Sequence, residues 1–180
     1  MRLRESHALP VPLDDAWKAL NDVDLLRQAL PGCESLLEIA PNEFVAEMAV
    51  ALGLATSRFT VYVRRHDIRA PRRCTLHFET RTTGVNGRGS AALRLVPDGA
   101  ESTTLQADIA VDIDGLLAVL GGSLIELAAR EMARQFFEGL GRLAGARGRR
   151  VIQSRLQTEP ESRACPSPSS SPAPRARPCS

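Results

Sequence analysis

The sequence predicts an α+β fold in which a curved antiparallel sheet wraps around a long C-terminal helix, and three observations predict it. Between Glu43 and Ile113, five runs alternate apolar and polar residues, the period of half-buried strands. The turns between them are short and carry Pro41-Asn42, Ala70-Pro71 and Pro97-Asp98-Gly99, which suits a meander of neighbouring strands. After the last strand the period changes. Leu120, Leu124, Ala128, Met132, Phe136 and Leu140 follow four-residue steps, the stripe of an amphipathic helix.

Arg2 to Leu9 opens the chain as a short strand, with Leu3 and Leu9 on one side. Leu13 to Leu20 is helical, because Pro12 and Asp14-Asp15 suit a helix start, where exposed amides favour acidic groups. Trp17 and Leu20 make its buried face. A second helix, Val23 to Leu30, begins at Asp22 and is stopped by Pro31-Gly32. Five strands follow. Their inward sets are Phe44-Ala46-Met48-Val50-Leu52, Phe59-Val61-Val63, Cys74-Leu76-Phe78, Gly87-Gly89-Ala91-Leu93-Leu95 and Leu105-Ala107-Ile109-Val111-Ile113. The final helix runs from about Leu116 to Ala144, with Leu127 and Leu143 widening its stripe. Gly121-Gly122 either breaks it, receives a close-packed neighbour, or marks a short turn before a main helix that starts near Ser123.

Residues 1–145 form the expected domain, and 146–180 a basic tail, largely disordered. That tail holds six Pro, seven Ser and seven Arg against Glu159 and Glu161, so it carries +5 of the chain's net +2 and leaves −3 on the domain. Such a composition buries too little apolar area to offset its ordering entropy. The nearly balanced total argues against nucleic-acid binding, which calls for a larger, clustered basic excess. The longest uncharged stretch in the patterned part, Gly115 to Ile125, is too short for a membrane span. Met1 to Pro10 lacks the apolar core of a signal peptide, so a cytoplasmic protein is expected. Arg147-Gly-Arg-Arg150 could meet anionic headgroups or an acidic partner, or simply keep the tail solvated.

The usual catalytic and metal-binding constellations are missing from the pattern. Cys33, Cys74, Cys165 and Cys179 show neither CxxC nor zinc-finger spacing, and Cys33 reads as a structural thiol. His7, His66 and His77 fall on three strands with no orienting carboxylate and nucleophile nearby, and read as surface residues. Asp108, Asp112 and Asp114 share an outer strand face without a calcium loop. The run Gly84-Val-Asn-Gly-Arg-Gly89 precedes no helix, so it reads as a bend or bulge rather than a dinucleotide loop.

A cavity is the expected site. The inward set includes Ala46, Gly87, Gly89, Ala91 and Ala107, and native interiors pack at a density of about 0.74, so small residues leave a void unless something compensates. The alternative is a collapsed sheet with the helix closer to it. Met48, Val61, Leu76, Phe78, Leu93, Leu120, Leu124 and Phe136 are expected to line the cavity. Its mouth is expected at Leu30, Pro31 and Gly32, with loops containing Gly53 and Gly84 opposite. No catalytic or metal residue is assigned.

Several segments carry a family resemblance. Trp17-Lys-Ala-Leu-Asn-Asp, Leu30-Pro-Gly-Cys-Glu-Ser-Leu36, Gly115-Leu-Leu-Ala-Val-Leu-Gly121 and Phe136-Phe137 resemble the carbon monoxide dehydrogenase CoxG family, within the START-like (SRPBCC) superfamily. The resemblance covers residues 1–145 and implies the helix-grip (START/Bet v 1-like) fold. It also implies a non-catalytic accessory protein that handles a hydrophobic ligand such as a quinone. Its partners would be the subunits of a molybdenum hydroxylase, which it serves in recruitment, maturation or electron transfer, with peripheral contact at the inner face of the cytoplasmic membrane. Membrane-attached members end in a hydrophobic segment that does not follow here before Ser180, so anchoring by that route is not expected. Two other classes compete. A START-like cyclase, hydratase or hydrolase would need polar groups pointing inward, which the strand pattern nearly lacks. A co-chaperone-like module would leave the cavity empty and work through the outer sheet.

Overall fold

In chain order, β1 (Arg2–Leu9) is followed by α1 (Leu13–Ala19), α2 (Val23–Ala29), β2 (Cys33–Ala40), β3 (Glu43–Leu52) and β4 (Ala55–Arg69). Then come β5 (Arg73–Thr82), β6 (Val85–Pro97), β7 (Thr103–Gly115) and α3 (Gly122–Leu156). This computed structural model describes residues 1–52, 55–82, 85–115 and 122–156. The seven strands form one antiparallel sheet in the order β1-β7-β6-β5-β4-β3-β2. Strands β3 to β7 are the expected meander, and β2 extends it by one strand at the edge. The chain's first strand closes the far edge on β7, with Leu3 opposite Ile109 and Leu9 opposite Thr103.

Strand β2 was not expected from the sequence pattern. Its Leu36 is buried, while Leu37 and Ile39 are 62% and 57% exposed, so apolar residues stand on both faces of an edge strand. Register shifts at Cys33/Ser35 and Glu38/Ala40 break its alternation further. The glycine-rich start of β6 needs a second correction. From Val85 to Pro97 that strand pairs continuously with β7, without the expected bulge. Gly89 is required for another reason: a Cβ there would sit 2.6 Å from Phe78 Cζ and 2.4 Å from the Ala110 carbonyl oxygen. The missing side chain makes room for the Phe78 ring on the neighbouring strand.

The final helix also departs from its expected limits. It is described from Gly122, in keeping with a main helix that starts near Ser123, and continues to Leu156 instead of ending at Ala144; residues 116–121 lie outside the described residues. Apolar spacing identifies the buried part of a helix, and beyond Ala144 the sequence is polar yet rich in good helix formers. Arg147 pairs there with Asp22, which ties the extension to the start of α2. Leu127 does not widen the buried stripe; it is 64% exposed. The α3 helix packs on β1, α1 and α2, and its residues in the apolar clusters run from Met132 to Ala144, past the turn that carries Leu127.

Two apolar clusters hold these layers together. Leu9, Leu105 and Leu140, all fully buried, anchor the first, where α3 crosses β1 and β7 beside α1 and α2. Leu36, Phe44, Ala46 and Met48 form the second, joined by Leu26 and Leu30 of the α2 region and by Met132 of α3. Between the clusters, α3 stands off the middle of the sheet.

Candidate functional site

The gap under α3 is a cavity of about 380 Å³, within the size range of small-molecule sites. Strand alternation builds its floor. Met48 of β3, Val61 of β4, Leu76 and Phe78 of β5 and Leu93 of β6 all project into it. Phe136 of α3 closes the roof, with Met132 and Ala133 one turn earlier. Ala46 and Ala91 lie on the same floor, and their short side chains leave space that Leu or Phe would occupy.

The remaining expected residues distribute as follows. Leu30 and Pro31 line the cavity where α2 ends. Gly32 stands beside them without reaching the lining. Its carbonyl accepts from the Ala49 amide at 2.7 Å, and its φ of +73° is left-handed backbone that glycine adopts without strain. Gly53, Gly84 and Leu120 lie outside the described residues, as does the side chain of Leu124.

Sequence reasoning missed Arg65. It continues the inward parity of Phe59, Val61 and Val63 and is the charged residue among the described cavity-lining residues. Its guanidinium carbon sits 4.9 Å from the centre of the Phe44 ring, within cation–π range. One guanidinium N–H donates to Asn21 Oδ1, between α1 and α2. Parity alone could have found this residue; its charge instead grouped it with the solvated strand end.

One histidine requires correction, while His77 is exposed as expected. His7 is not a surface residue: β1 turns it toward α3, where its ring stacks on Phe137 with centroids 4.6 Å apart, and Nε2 lies 3.3 Å from Glu5. His66 and His77 meet across β4 and β5, with ring centroids 4.2 Å apart at 90°. Asp67 lies 3.0 Å from His66 Nδ1, while Nε2 is buried without a hydrogen-bond partner. Contact between β1 and α3 creates the first arrangement and contact between β4 and β5 the second, and neither shows in the spacing of the histidines. Among the described residues, no three or more His, Cys, Asp or Glu are grouped to hold a metal ion. Asp108 and Asp112 instead lie 3.4 Å from Arg4 and 4.0 Å from Arg88 on the exposed outer face.

Burial pushes both described thiols above their ordinary pKa. For Cys74, which lines the cavity, the nearby Arg65 charge pulls weakly the other way. Cys33 is half-buried and its Sγ donates to the Ser35 carbonyl at 3.3 Å. Neither is a ready thiolate nucleophile. The arrangement suits retention of an apolar body, with one cation at the end of the space.

The sequence model of the carbon monoxide dehydrogenase CoxG family matches residues 7–145. No curated protein matches the chain. Several solved structures do. A conserved protein from Geobacillus kaustophilus is 18% identical, with a TM-score of 0.76 over 81% of this chain and 96% of its own. An aromatase/cyclase, Zhui, from Streptomyces sp. R1128 is 18% identical, with a TM-score of 0.60 over 84% and 95% of the two chains. A START superfamily protein from Mycobacterium smegmatis is 13% identical, with a TM-score of 0.60 over 83% and 98%. At these identities the likeness shows the fold, which is the helix grip of START-like proteins. None of the described helices is long and apolar enough to cross a membrane.

Proposed function

The chain belongs to the carbon monoxide dehydrogenase CoxG family, and from that premise we propose that it carries a hydrophobic small molecule, such as a quinone, for a carbon monoxide dehydrogenase-type molybdenum hydroxylase. The single observation behind this reading is the cavity of about 380 Å³ enclosed by α3 and the inner sheet face, with an almost wholly apolar lining. An apolar guest regains the dispersion contacts that the lining side chains lack and removes its own surface from water, at roughly 25 cal/mol per Å². The protein's role is accessory: recruitment, maturation or electron transfer at the inner face of the cytoplasmic membrane, without chemistry of its own.

Calorimetric titration of the purified chain with a soluble short-tail quinone tests this reading. Ala91 lies on the cavity floor opposite Leu76. Ala91→Phe should fill the space and weaken binding at least tenfold, while overpacking costs about 1–3 kcal/mol of stability. Equal affinity in a folded variant would put the quinone elsewhere.

A second reading, a START-like enzyme using the same cavity, draws on the structural likeness to the aromatase/cyclase. General acid–base catalysis needs a donor or acceptor within hydrogen-bond reach of the reacting group. Among the described lining residues the polar candidates are Arg65 and the Cys74 thiol. Recovery of a chemically altered ligand after incubation would favour the enzyme.

A further inference from the structure

We propose that Arg65 selects the ligand's head group: the cavity prefers an amphipathic molecule whose apolar body ends in an anionic oxygen group, above all a carboxylate. This rests on the apolar cavity proposed above and not on its quinone example, which is neutral, and it gives the cavity's preferred guest a chemical class. Three observations carry the inference.

Arg65 enters the lining by strand parity, at the end of a row formed by Phe59, Val61 and Val63. From Phe59 to Arg65 a strand spans roughly 20 Å at about 3.3 Å per residue. An apolar tail can therefore lie along the row while its head reaches the guanidinium. The cation also has no carboxylate partner among the described residues. The neighbouring Arg64 shows the contrast, since it points outward and pairs with Glu43 at 3.0 Å. A guanidinium carries five N–H donors in a planar fork that matches a carboxylate, and here one is given to Asn21. Finally, the side chain is held in place. Phe44 supports its face and Asn21 fixes one edge, which reduces the ordering cost of binding. A charge-assisted bond from a guanidinium to a carboxylate is shorter and stronger than one between neutral groups.

The experiment compares dodecanoate with dodecanol, which share a tail and differ in the head, below their aggregation concentrations at neutral pH. Calorimetry is run on wild type, Arg65→Met and Arg65→Lys, with circular dichroism to verify each fold. Wild type should prefer dodecanoate by about tenfold or more, as expected for a hydrogen bond to a charged group. Arg65→Met should bring the two probes within about twofold while keeping dodecanol affinity, and Arg65→Lys should restore part of the preference. If Arg65→Met still binds dodecanoate with the wild-type preference, or if wild type shows no preference, the head-group role is overturned and the apolar cavity stands. If wild type binds neither probe, the cavity reading fails and this inference falls with it.

Discussion

Alanine truncation of Leu140 and of Leu76, made separately, should give unequal losses of stability. Leu140 is fully buried in the cluster where α3 meets β1, with neighbours on every side. Its truncation removes the transfer energy of three carbons and opens a new void, about 3–4 kcal/mol in all. For a domain of this size, about 2–4 °C per kcal/mol lowers Tm by about 6–16 °C. Leu76 borders the cavity, so part of its surface already lacks packing partners. Truncation there mainly enlarges an existing void and should cost about 1–2 kcal/mol, or about 2–8 °C. The assay is thermal and urea unfolding of ligand-stripped protein monitored by circular dichroism. Equal losses, or a larger one for Leu76→Ala, would mean that this part of the interior is packed solid and the cavity reasoning is wrong.

Three further outcomes are expected. Gly32→Ala should lower Tm and loosen β2 from β3, because its φ is +73° and a Cβ would lie 2.2 Å from the Ala49 carbonyl oxygen; amide exchange at Ala49 reports the loss. The Asp22 carboxylate is held below its ordinary pKa by the Leu25 amide, with help from Arg147, so its stabilisation is complete above about pH 4 and fades as pH falls through the lowered value. Asp22→Ala should cost about 1 kcal/mol at pH 7, and the gap to wild type should close in acid unfolding series. With Cys165 and Cys179 replaced by Ser, Cys74 should react more slowly than Cys33 with an aromatic disulfide reagent at pH 7. A bound apolar ligand should slow it further, as mass mapping of the labelled thiols would show.

Legibility in the sequence follows the physics of each element. Strands β3 to β7 are readable because one face is buried and the other wetter, so buried Phe44, Ala46 and Met48 alternate with the less buried Val45, Glu47 and Ala49. The same alternation alone places Met48, Val61, Leu76, Phe78 and Leu93 on one face. Edge strand β2 is not readable, since exposed Leu37 and Ile39 blur its period. His7 is fixed by Phe137, a partner 130 positions away that no local pattern reveals. The continuation of α3 past Ala144 is hidden because Arg147 ties it to Asp22, a charge contact rather than an apolar stripe. Arg65 stands in plain parity with Val63; its charge conceals it.

Native mass spectrometry of the gently purified chain shows whether the cavity holds a guest. Wild type should carry one small apolar molecule per chain, released into organic solvent and largely absent from Ala91→Phe. A bare wild-type mass that stays unchanged when quinone or dodecanoate is added would contradict a ligand-holding cavity between α3 and the sheet.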